Sequence, residues 1–362
     1  MLDRLSHPPR RAVRIACALV GTAVVATLLF VVTTPTTASA VDVFGALRLP
    51  GEPAFIVGHR GDRSEAPENT MPALERAMDD LDFVETDVQL SRDGVPVLFH
   101  DTSLERVTGD RRGVGELELA DLRRLDVGAW YDGDYAGERM PTFDEFLTEL
   151  ARRQTARALV ELKADWRIEE VRRVVDLVER HGLRGRVVLQ SFSLETLFAI
   201  QQISPTTPRI MLIRELPAEP VALAERLGVI GFGTTAASVT AVPGALEALH
   251  EAGIAVLCYT LNTHETWQEV SALGIDGIIT DQPSELDQWL AVTAPGRRCR
   301  ARRPPHRRQA IRRRRPRWPA LRRRSRRARR RDRASCDRRS RGARVARRLP
   351  VRGRAIPVPR YG

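Results

Sequence analysis

Short apolar runs typical of β-strands alternate with helix-length segments between residues 54 and 290, and this alternation constrains the fold more than any other feature. Nine such runs are present: AFIVGH, FVETDV, VPVLFH, ALVELK, VVLQSF, RIMLI, VIGFGTT, AVLCYTLN and DGIIT. Strands and helices that alternate over about 240 residues predict a parallel sheet, and eight strands closed into an α/β TIM (β/α)8 barrel fit best. One candidate is then surplus, and the sequence does not say which.

Capping residues and apolar spacing predict where several helices begin and end. One helix should begin near Thr70, with Asn69 as its N-cap. A second is predicted around residues 143–150. A third is predicted over residues 168–181, with Gly182 as its stop signal.

The stretch FVETDVQLSRDGVPVLFHD, residues 83–101, has the pattern of a hairpin that turns at Asp93-Gly94. Glu85 and Asp87 lie two residues apart, so they point to one face of their strand. Two like charges side by side in a strand built for a core require a physical reason.

Polar side chains recur at the ends of the predicted strands, and the carboxyl ends of barrel strands carry the active site of a TIM barrel. They are His59 and Arg60, Glu85 and Asp87, His100, Glu161 and Lys163, and Asn262. The carboxylates of Glu85, Asp87 and Glu161 would repel one another strongly in a low-dielectric barrel mouth. A hard divalent cation, Ca²⁺ or Mg²⁺, takes oxygen ligands of this type and removes that cost. The alternative is that Glu85 and Asp87 pair with arginines on a solvated edge.

His59 and His100 suit general acid–base chemistry because an imidazole exchanges a proton near neutral pH. A single histidine at a strand end is more often structural, but a pair beside a carboxylate cluster is less easily explained that way. Arg60 offers a bidentate contact to phosphate. Lys163 is the only lysine, against 57 arginines. A compact ammonium that contacts both a carboxylate and a phosphoryl oxygen would explain why lysine is kept here.

Charge divides the chain into three parts. Of the net charge of +12, residues 1–40 carry +3 and residues 297–362 carry +28, which leaves −19 for residues 41–296. The sequence therefore predicts an N-terminal segment, an acidic barrel domain over residues 41–296 and a basic tail.

The N-terminal segment has the pattern of an export signal. Arginines precede an uncharged, mainly apolar run of 18 residues, 15–32, and Ala38-Ser39-Ala40 fits the small-x-small cleavage pattern. A retained membrane anchor stays open, because 18 residues lie at the lower limit for crossing a bilayer. Either way we expect an exported domain that is secreted, periplasmic or anchored to the outer face of the cytoplasmic membrane.

The tail, residues 297–362, contains 30 arginines, no lysine and two acids. It has one Trp, one Tyr and no amphipathic period, which disfavours specific nucleic-acid recognition and favours a disordered segment. Attraction to a membrane or an anionic envelope polymer stays open.

Several of these segments together resemble the glycerophosphodiester phosphodiesterase family. GHRGDRSEAPENT, VETDVQLSRDGVPVLFHD, VELK and DGIITDQP occur in the order and at the spacing of that family, over roughly residues 54–290. The resemblance implies a barrel of the PLC-like phosphodiesterase type that binds a divalent metal, often Ca²⁺ or Mg²⁺. It also implies that a small-molecule glycerophosphodiester is hydrolysed to glycerol 3-phosphate and an alcohol, through attack of the glycerol 2-hydroxyl on phosphorus.

The resemblance also implies a role for each matching residue. These roles are acid and base for His59 and His100, phosphate contacts for Arg60 and Lys163, metal ligands for Glu85, Asp87 and Glu161, and supporting groups for Glu68, Asn69 and Asn262. Where the family usually has Trp before Thr-Val-Asn, this chain has Tyr259 before Thr260-Leu261-Asn262. This departure puts the wall of the alcohol pocket in doubt.

Two other functions stay open at this point. The same barrel could act as a phospholipase D on a lysophospholipid or sphingomyelin, which an apolar rim would favour. It could also be an inactive binding module at the cell surface, which the complete set of histidines, carboxylates and lysine disfavours.

Overall fold

The computed structural model describes residues 38–294, and in this part of the chain eight parallel strands close into a barrel. Hydrogen bonding between the first and last strands and between the first two closes the ring. The barrel strands are β1 (Phe55–Gly58), β2 (Phe83–Leu90), β4 (Arg157–Leu162), β5 (Val187–Ser191), β6 (Arg209–Leu212), β7 (Gly231–Thr234), β8 (Ala255–Cys258) and β9 (Gly277–Thr280). The predicted TIM barrel is confirmed.

The remaining strand, β3 (Pro96–Leu98), is the surplus candidate. It pairs antiparallel with the end of β2, with Val88 opposite Leu98 and Leu90 opposite Pro96. Gly94 at the turn has φ +76°, a conformation that glycine adopts without strain. The predicted hairpin is therefore confirmed, and β3 stands outside the barrel because β2 is eight residues long and projects beyond its neighbours.

Helices on the outside of the barrel bury their apolar faces against the outward side chains of the strands. The helices of residues 38–294 are α1 (Ala40–Phe44), α2 (Met71–Asp80), α3 (Glu105–Thr108), α4 (Leu119–Leu122), α5 (Phe143–Arg152), α6 (Ile168–Arg180), α7 (Leu194–Ile203), α8 (Pro220–Leu227), α9 (Ala236–Ala241), α10 (Ala245–Glu251), α11 (His264–Leu273) and α12 (Pro283–Thr293). Of these, α1 lies at one end of the barrel, and α3 and α4 pack with β3 in a separate apolar cluster. Helix α6 shows the principle, because Val171, Val174, Val175 and Val178 form one buried stripe at helical spacing. Two short 3₁₀ turns, Val114–Glu116 and Gly133–Tyr135, interrupt the connection between β3 and α5.

The predicted start of α2 is wrong by one residue. Thr70, not Asn69, is the N-cap, and Asn69 has a left-handed backbone with φ 53°. Its side chain points to the barrel end instead of to the helix. The predicted end of α6 agrees with the structure, since His181 is the C-cap and Gly182 follows with φ +66°.

Helix α1 closes the end of the barrel at which the strands begin. Ala40, Val43 and Phe44 are buried against Phe55 and Phe83, the first residues of β1 and β2. The Phe44 and Phe55 rings stack with centroids 5.1 Å apart. This apolar layer seals the bottom of the barrel, so the opposite end is the only end left for a site.

The predicted boundary between residues 40 and 41 falls at the start of α1, for which Ser39 is the N-cap in a capping box with Asp42. The apolar run 15–32 and the basic tail lie outside the described residues. Within residues 38–294, no helix has the length and apolarity needed to span a bilayer.

Candidate active site

Three carboxylates meet at the open end of the barrel because of strand register. Asp87 on β2 is opposite Glu161 on β4, and Glu85 precedes Asp87 by two residues on the same inward face. The three side chains are buried, and each offers an oxygen within 4.8 Å of the other two. Val84 and Val88 point outward into the core between barrel and helices, as the alternation predicts.

Two cations neutralise this cluster only in part. Lys163 Nζ lies 2.9 Å from Glu161 and 3.5 Å from Asp87, and Arg60 Nε lies 3.5 Å from Asp87. Burial and the neighbouring carboxylates raise the pKa of Glu85 well above its ordinary value and that of Glu161 to about 7. With all three carboxylates ionised, three negative charges face two positive ones, and the cluster is one positive charge short.

These residues fit a divalent cation. Asp87 Oδ1 is buried and has no hydrogen-bond partner among the described residues, although hydrogen-bonding atoms in an interior are nearly always paired. Carboxylate oxygens that converge within a few ångströms are the donor set that a hard cation takes. The alternative of a solvated edge paired with arginines does not describe this site, because Glu85 and Asp87 are 2% and 1% exposed.

Gln190, which the sequence reasoning did not single out, completes the floor of the site. It lies on β5 next to Glu161, and its Nε2 donates to Glu85 Oε1 at 3.4 Å. Its Oε1 is buried and has no hydrogen-bond partner within residues 38–294, which makes it a further oxygen donor beside the carboxylates. A polar residue inside a buried strand, VVLQS, was the available signal.

His59 follows β1 and is held by Asp281, which follows β9. The His59 Nδ1 lies 2.6 Å from Asp281 Oδ1, so Nε2 is the nitrogen left for chemistry. Burial lowers the pKa of His59, while Asp281 acts in the opposite sense. The His59 side chain is therefore neutral at pH 7 and oriented to accept a proton.

His100 is held in the same way by its chain neighbour, with Nδ1 2.8 Å from Asp101 Oδ1. His100 follows the antiparallel β3, the surplus strand, and not one of the eight barrel strands. It still reaches the site, since the Phe99 amide donates to Asp87 O and brings the chain back to the level of the carboxylates. The projecting end of β2 thus supplies a second histidine to the barrel mouth.

A buried carboxylate, Glu68, connects the two histidine–aspartate pairs. Arg63 bridges Glu68 to Asp281, at 2.8 and 3.3 Å. Arg106 bridges Glu68 to Asp101, with both contacts at 2.6 Å. These arginines lower the pKa of Glu68 against the effect of burial.

Arg60 is the third arginine on Glu68, at 2.8 Å. The backbone of Arg60 faces the carboxylate cluster, and its amide donates to Glu85 Oε2 at 2.8 Å. Glu68 therefore holds Arg60, the candidate phosphate-binding residue. Through Arg63 and Arg106 it also holds the two aspartates that orient the histidines.

The chain's only two asparagines, Asn69 and Asn262, fix one carboxylate each. Asn69 Nδ2 donates to Asp87 Oδ2 at 2.9 Å, and its Oδ1 accepts from the Thr86 hydroxyl. Asn262 Nδ2 donates to Asp281 Oδ2 at 2.9 Å, and its Oδ1 accepts from the Asp281 amide. Both predicted supporting residues thus hold an acidic group in place.

Backbone strain is concentrated around the site. In residues 38–294, three non-glycine residues have positive φ: Arg60, Asn69 and Ala164. Two carry site side chains and the third follows Lys163. Left-handed backbone at such residues costs about 1 kcal/mol or more each and persists where surrounding contacts determine the conformation.

The predicted site residues converge on one cavity of about 590 Å³. The residues that line it include His59, Arg60, Glu85, His100, Glu161 and Lys163, together with Gln190, residues of β6 and β9, and residues that follow β5, β6 and β8. The residues that do not line the cavity support those that do, through the contacts given above: Asp87, Glu68, Asn69 and Asn262. The sequence reasoning missed Arg63, Arg106, Asp101 and Asp281, although Asp101 and Asp281 lie in the quoted stretches VLFHD and DGIITDQP.

Comparison with known proteins gives the same family that the motifs indicate. The sequence model of the Glycerophosphoryl diester phosphodiesterase family matches residues 59–285, well over half of the chain. The glycerophosphodiester phosphodiesterase of Caldanaerobacter subterraneus subsp. tengcongensis is 29% identical over 237 residues, which are 64% of this chain and 96% of that protein.

Solved structures agree with these relatives. A phosphodiesterase from Oleispira antarctica, in complex with the product sn-glycerol-3-phosphate, has a TM-score of 0.60 and 27% identity and covers 65% of this chain and 96% of its own. A glycerophosphodiester phosphodiesterase from Agrobacterium tumefaciens has a TM-score of 0.57 and 30% identity over 64% and 98% of the two chains. The matched region contains both histidine–aspartate pairs and the whole carboxylate cluster, and the chain therefore belongs to the glycerophosphoryl diester phosphodiesterase family of phosphoric diester hydrolases.

Proposed function

We propose that this protein hydrolyses glycerophosphodiesters to glycerol 3-phosphate and an alcohol with the help of a bound Ca²⁺ or Mg²⁺ ion, in lipid and phosphodiester metabolism. The observation that carries the proposal is the buried cluster of Glu85, Asp87 and Glu161, one positive charge short, between two histidines whose Nδ1 atoms are already held.

The cluster would hold the cation through its carboxylate oxygens, with Gln190 Oε1 as a further donor. A bound divalent cation supplies Lewis-acid stabilisation of negative charge on phosphoryl oxygens. Lys163 and Arg60, which face the same carboxylates, would bind that phosphoryl group from the side.

His59 and His100 would divide the proton transfers. One imidazole Nε2 takes the proton of the glycerol 2-hydroxyl as that oxygen attacks phosphorus, while the other gives a proton to the departing alcohol. The products of this step are a cyclic phosphate and the free alcohol. Water then opens the cyclic phosphate with the roles of the two histidines reversed. Asp281 and Asp101 would keep each imidazole in the tautomer that this exchange needs.

A substrate panel tests the proposal. The full-length protein, treated with chelator and then supplied with Ca²⁺ or Mg²⁺, should release glycerol 3-phosphate from glycerophosphocholine, glycerophosphoethanolamine and glycerophosphoserine. Chelator alone should abolish the release. Activity that persists undiminished after complete metal removal would contradict the assignment of the carboxylates as metal ligands.

A 2-deoxyglycerol analogue of the substrate tests the attacking group separately. It lacks the hydroxyl that should attack phosphorus, so its turnover should fall to the background rate. Hydrolysis at the rate of the normal substrate would show that water attacks directly, and the cyclic intermediate would then be wrong.

We further propose that the barrel domain is exported, on the basis of the N-terminal arginines, the apolar run and Ala38-Ser39-Ala40. Cell fractionation and protease treatment of intact cells test this, and full-length protein free in the cytosol would contradict it. The comparisons favour neither the phospholipase D alternative nor the inactive binding module.

A further inference from the structure

The active-site cavity adjoins a second cavity that none of the proposed catalytic residues lines. This second cavity measures about 710 Å³ and lies beyond the ends of β6 and β7. The two cavities share four lining residues: Phe192, Arg214, Tyr259 and Thr260. A phosphodiester carries two organic groups on one phosphorus, so a substrate bound at the carboxylate cluster can place its leaving alcohol in the second cavity.

Arg214 differs from the other fixed cations around these cavities because no protein group neutralises it. Arg60 is paired with Glu68, and Lys163 with Glu161. The exposed guanidinium of Arg214 makes no ion pair or side-chain hydrogen bond with any residue in 38–294. It therefore offers all of its donors to a ligand at the boundary of the two cavities.

The two aromatic residues of the shared wall do not by themselves select for charge. Phe192 and Tyr259 pack edge to face with ring centroids 5.9 Å apart, and the Tyr259 hydroxyl donates to Ile213 O at 3.0 Å. Burial raises the pKa of Tyr259 to about 12, so the phenol is neutral at pH 7. Such faces could attract a quaternary ammonium group, but a guanidinium at the same wall opposes that cation.

Among residues 38–294, Glu215 is the only acidic residue that lines the second cavity, and it does not line the first. No ion pair joins Glu215 to Arg214 in this part of the chain. The wall shared by the two cavities thus carries the cation Arg214, and the second cavity has in addition an anion that the first lacks. An acidic group on the leaving alcohol would meet Arg214, and an ammonium group further out would meet Glu215.

We propose that Arg214 makes the second cavity a subsite for leaving alcohols that carry an acidic group, a carboxylate or a phosphate. The inference rests on the proposed function, since it assigns the leaving group of that same reaction. The guanidinium binds the acidic group through charge-assisted hydrogen bonds and thereby sets the preference among diesters.

Matched substrate pairs test the subsite in the metal-loaded full-length protein. Glycerophosphoserine and glycerophosphoethanolamine differ by one carboxylate. Glycerophosphoglycerol and its terminally phosphorylated form differ by one phosphate. In each pair the acidic member should have the higher kcat/KM. Arg214→Ala should lower the ratio of kcat/KM for the acidic diester to kcat/KM for its matched partner about fivefold, which is the scale of an exposed ion pair. Arg214→Lys should keep most of the preference, and Arg214→Glu should reverse it.

Arg226→Ala is the matched control, because Arg226 is an exposed arginine on α8 that lines neither cavity. It should leave both ratios unchanged. Ratios that stay the same in Arg214→Ala and Arg214→Glu, while all diesters are still hydrolysed, would overturn the subsite and leave the proposed function intact. If no diester is hydrolysed by the wild type under any metal condition, the proposed function fails and the subsite with it.

Discussion

Glu161 should give the metal-free protein a pH-dependent stability that a bound cation removes. Burial and the charge of Asp87 raise the pKa of Glu161 from 4.5 to about 7 in the folded protein. Above pH 4.5 the unfolded chain therefore releases a proton that the folded protein keeps. The contribution of Glu161 to stability is fully present below pH 4.5 and is lost as the pH rises to 7. The loss is about 3 kcal/mol at ~1.4 kcal/mol per pH unit.

Two neighbouring groups also titrate, with opposite signs. The pKa of Glu85 is raised, so it adds to the loss of stability as the pH rises. The pKa of His59 is lowered, so below pH 6.5 it makes the folded protein more stable as the pH rises. The variant Glu161→Gln keeps both groups but removes one of the charges that raise the pKa of Glu85, so the difference between wild type and variant reports Glu161 together with its coupling to Glu85.

The assay is urea unfolding followed by circular dichroism between pH 5 and 7.5, with chelator and with saturating Ca²⁺ or Mg²⁺. With chelator, the free energy of unfolding of the wild type should fall across this range by about 2.5 kcal/mol relative to Glu161→Gln, since part of the total loss lies below pH 5. With metal the relative loss should vanish, because a cation keeps the carboxylate ionised in the folded protein. Equal pH dependence of wild type and Glu161→Gln in chelator would refute the reasoning.

Five further changes have defined outcomes. His59→Ala and His100→Ala should each lower kcat at least ~100-fold in steady-state assays, the usual cost of losing a positioned acid or base, and a tenfold loss or less would contradict their roles. Lys163→Arg should lower kcat/KM at least about tenfold although the charge is kept, because a planar guanidinium does not replace an ammonium 2.9 Å from Glu161. Glu68→Gln should destabilise the protein by roughly 3 kcal/mol in urea unfolding, since it leaves clustered arginines without their buried carboxylate, and an unchanged midpoint would exclude this. Truncation after Ala294 should keep kcat/KM within about threefold, because all residues lining both cavities precede it, and a loss above tenfold would assign the tail to the enzyme.

Much of the site could be predicted because it depends on local rules. Strand alternation places Glu85 and Asp87 on one face, and a parallel barrel brings the ends of its strands together, so Glu161 had to lie nearby. The surplus strand was not identified, because VPVLFH has the composition of a buried barrel strand, although the predicted hairpin turn at Asp93-Gly94 already implied an antiparallel strand there.

Other features depend on contacts between distant parts of the chain. Asn69 stands where a helix cap is common, but its contact with Asp87 outweighs the capping preference. Glu68 contacts arginines at positions 63 and 106, and through them aspartates at positions 101 and 281. No periodicity or short motif encodes an ion-pair network of that span.

Helix α1 also determines the direction in which this enzyme would face. It closes the bottom of the barrel, so the polypeptide that precedes Ser39 leaves the domain at the pole opposite the two histidines. A protein or tag attached ahead of Ser39 would therefore join the domain on the side away from the catalytic mouth and leave the entrance of the substrate cavity uncovered.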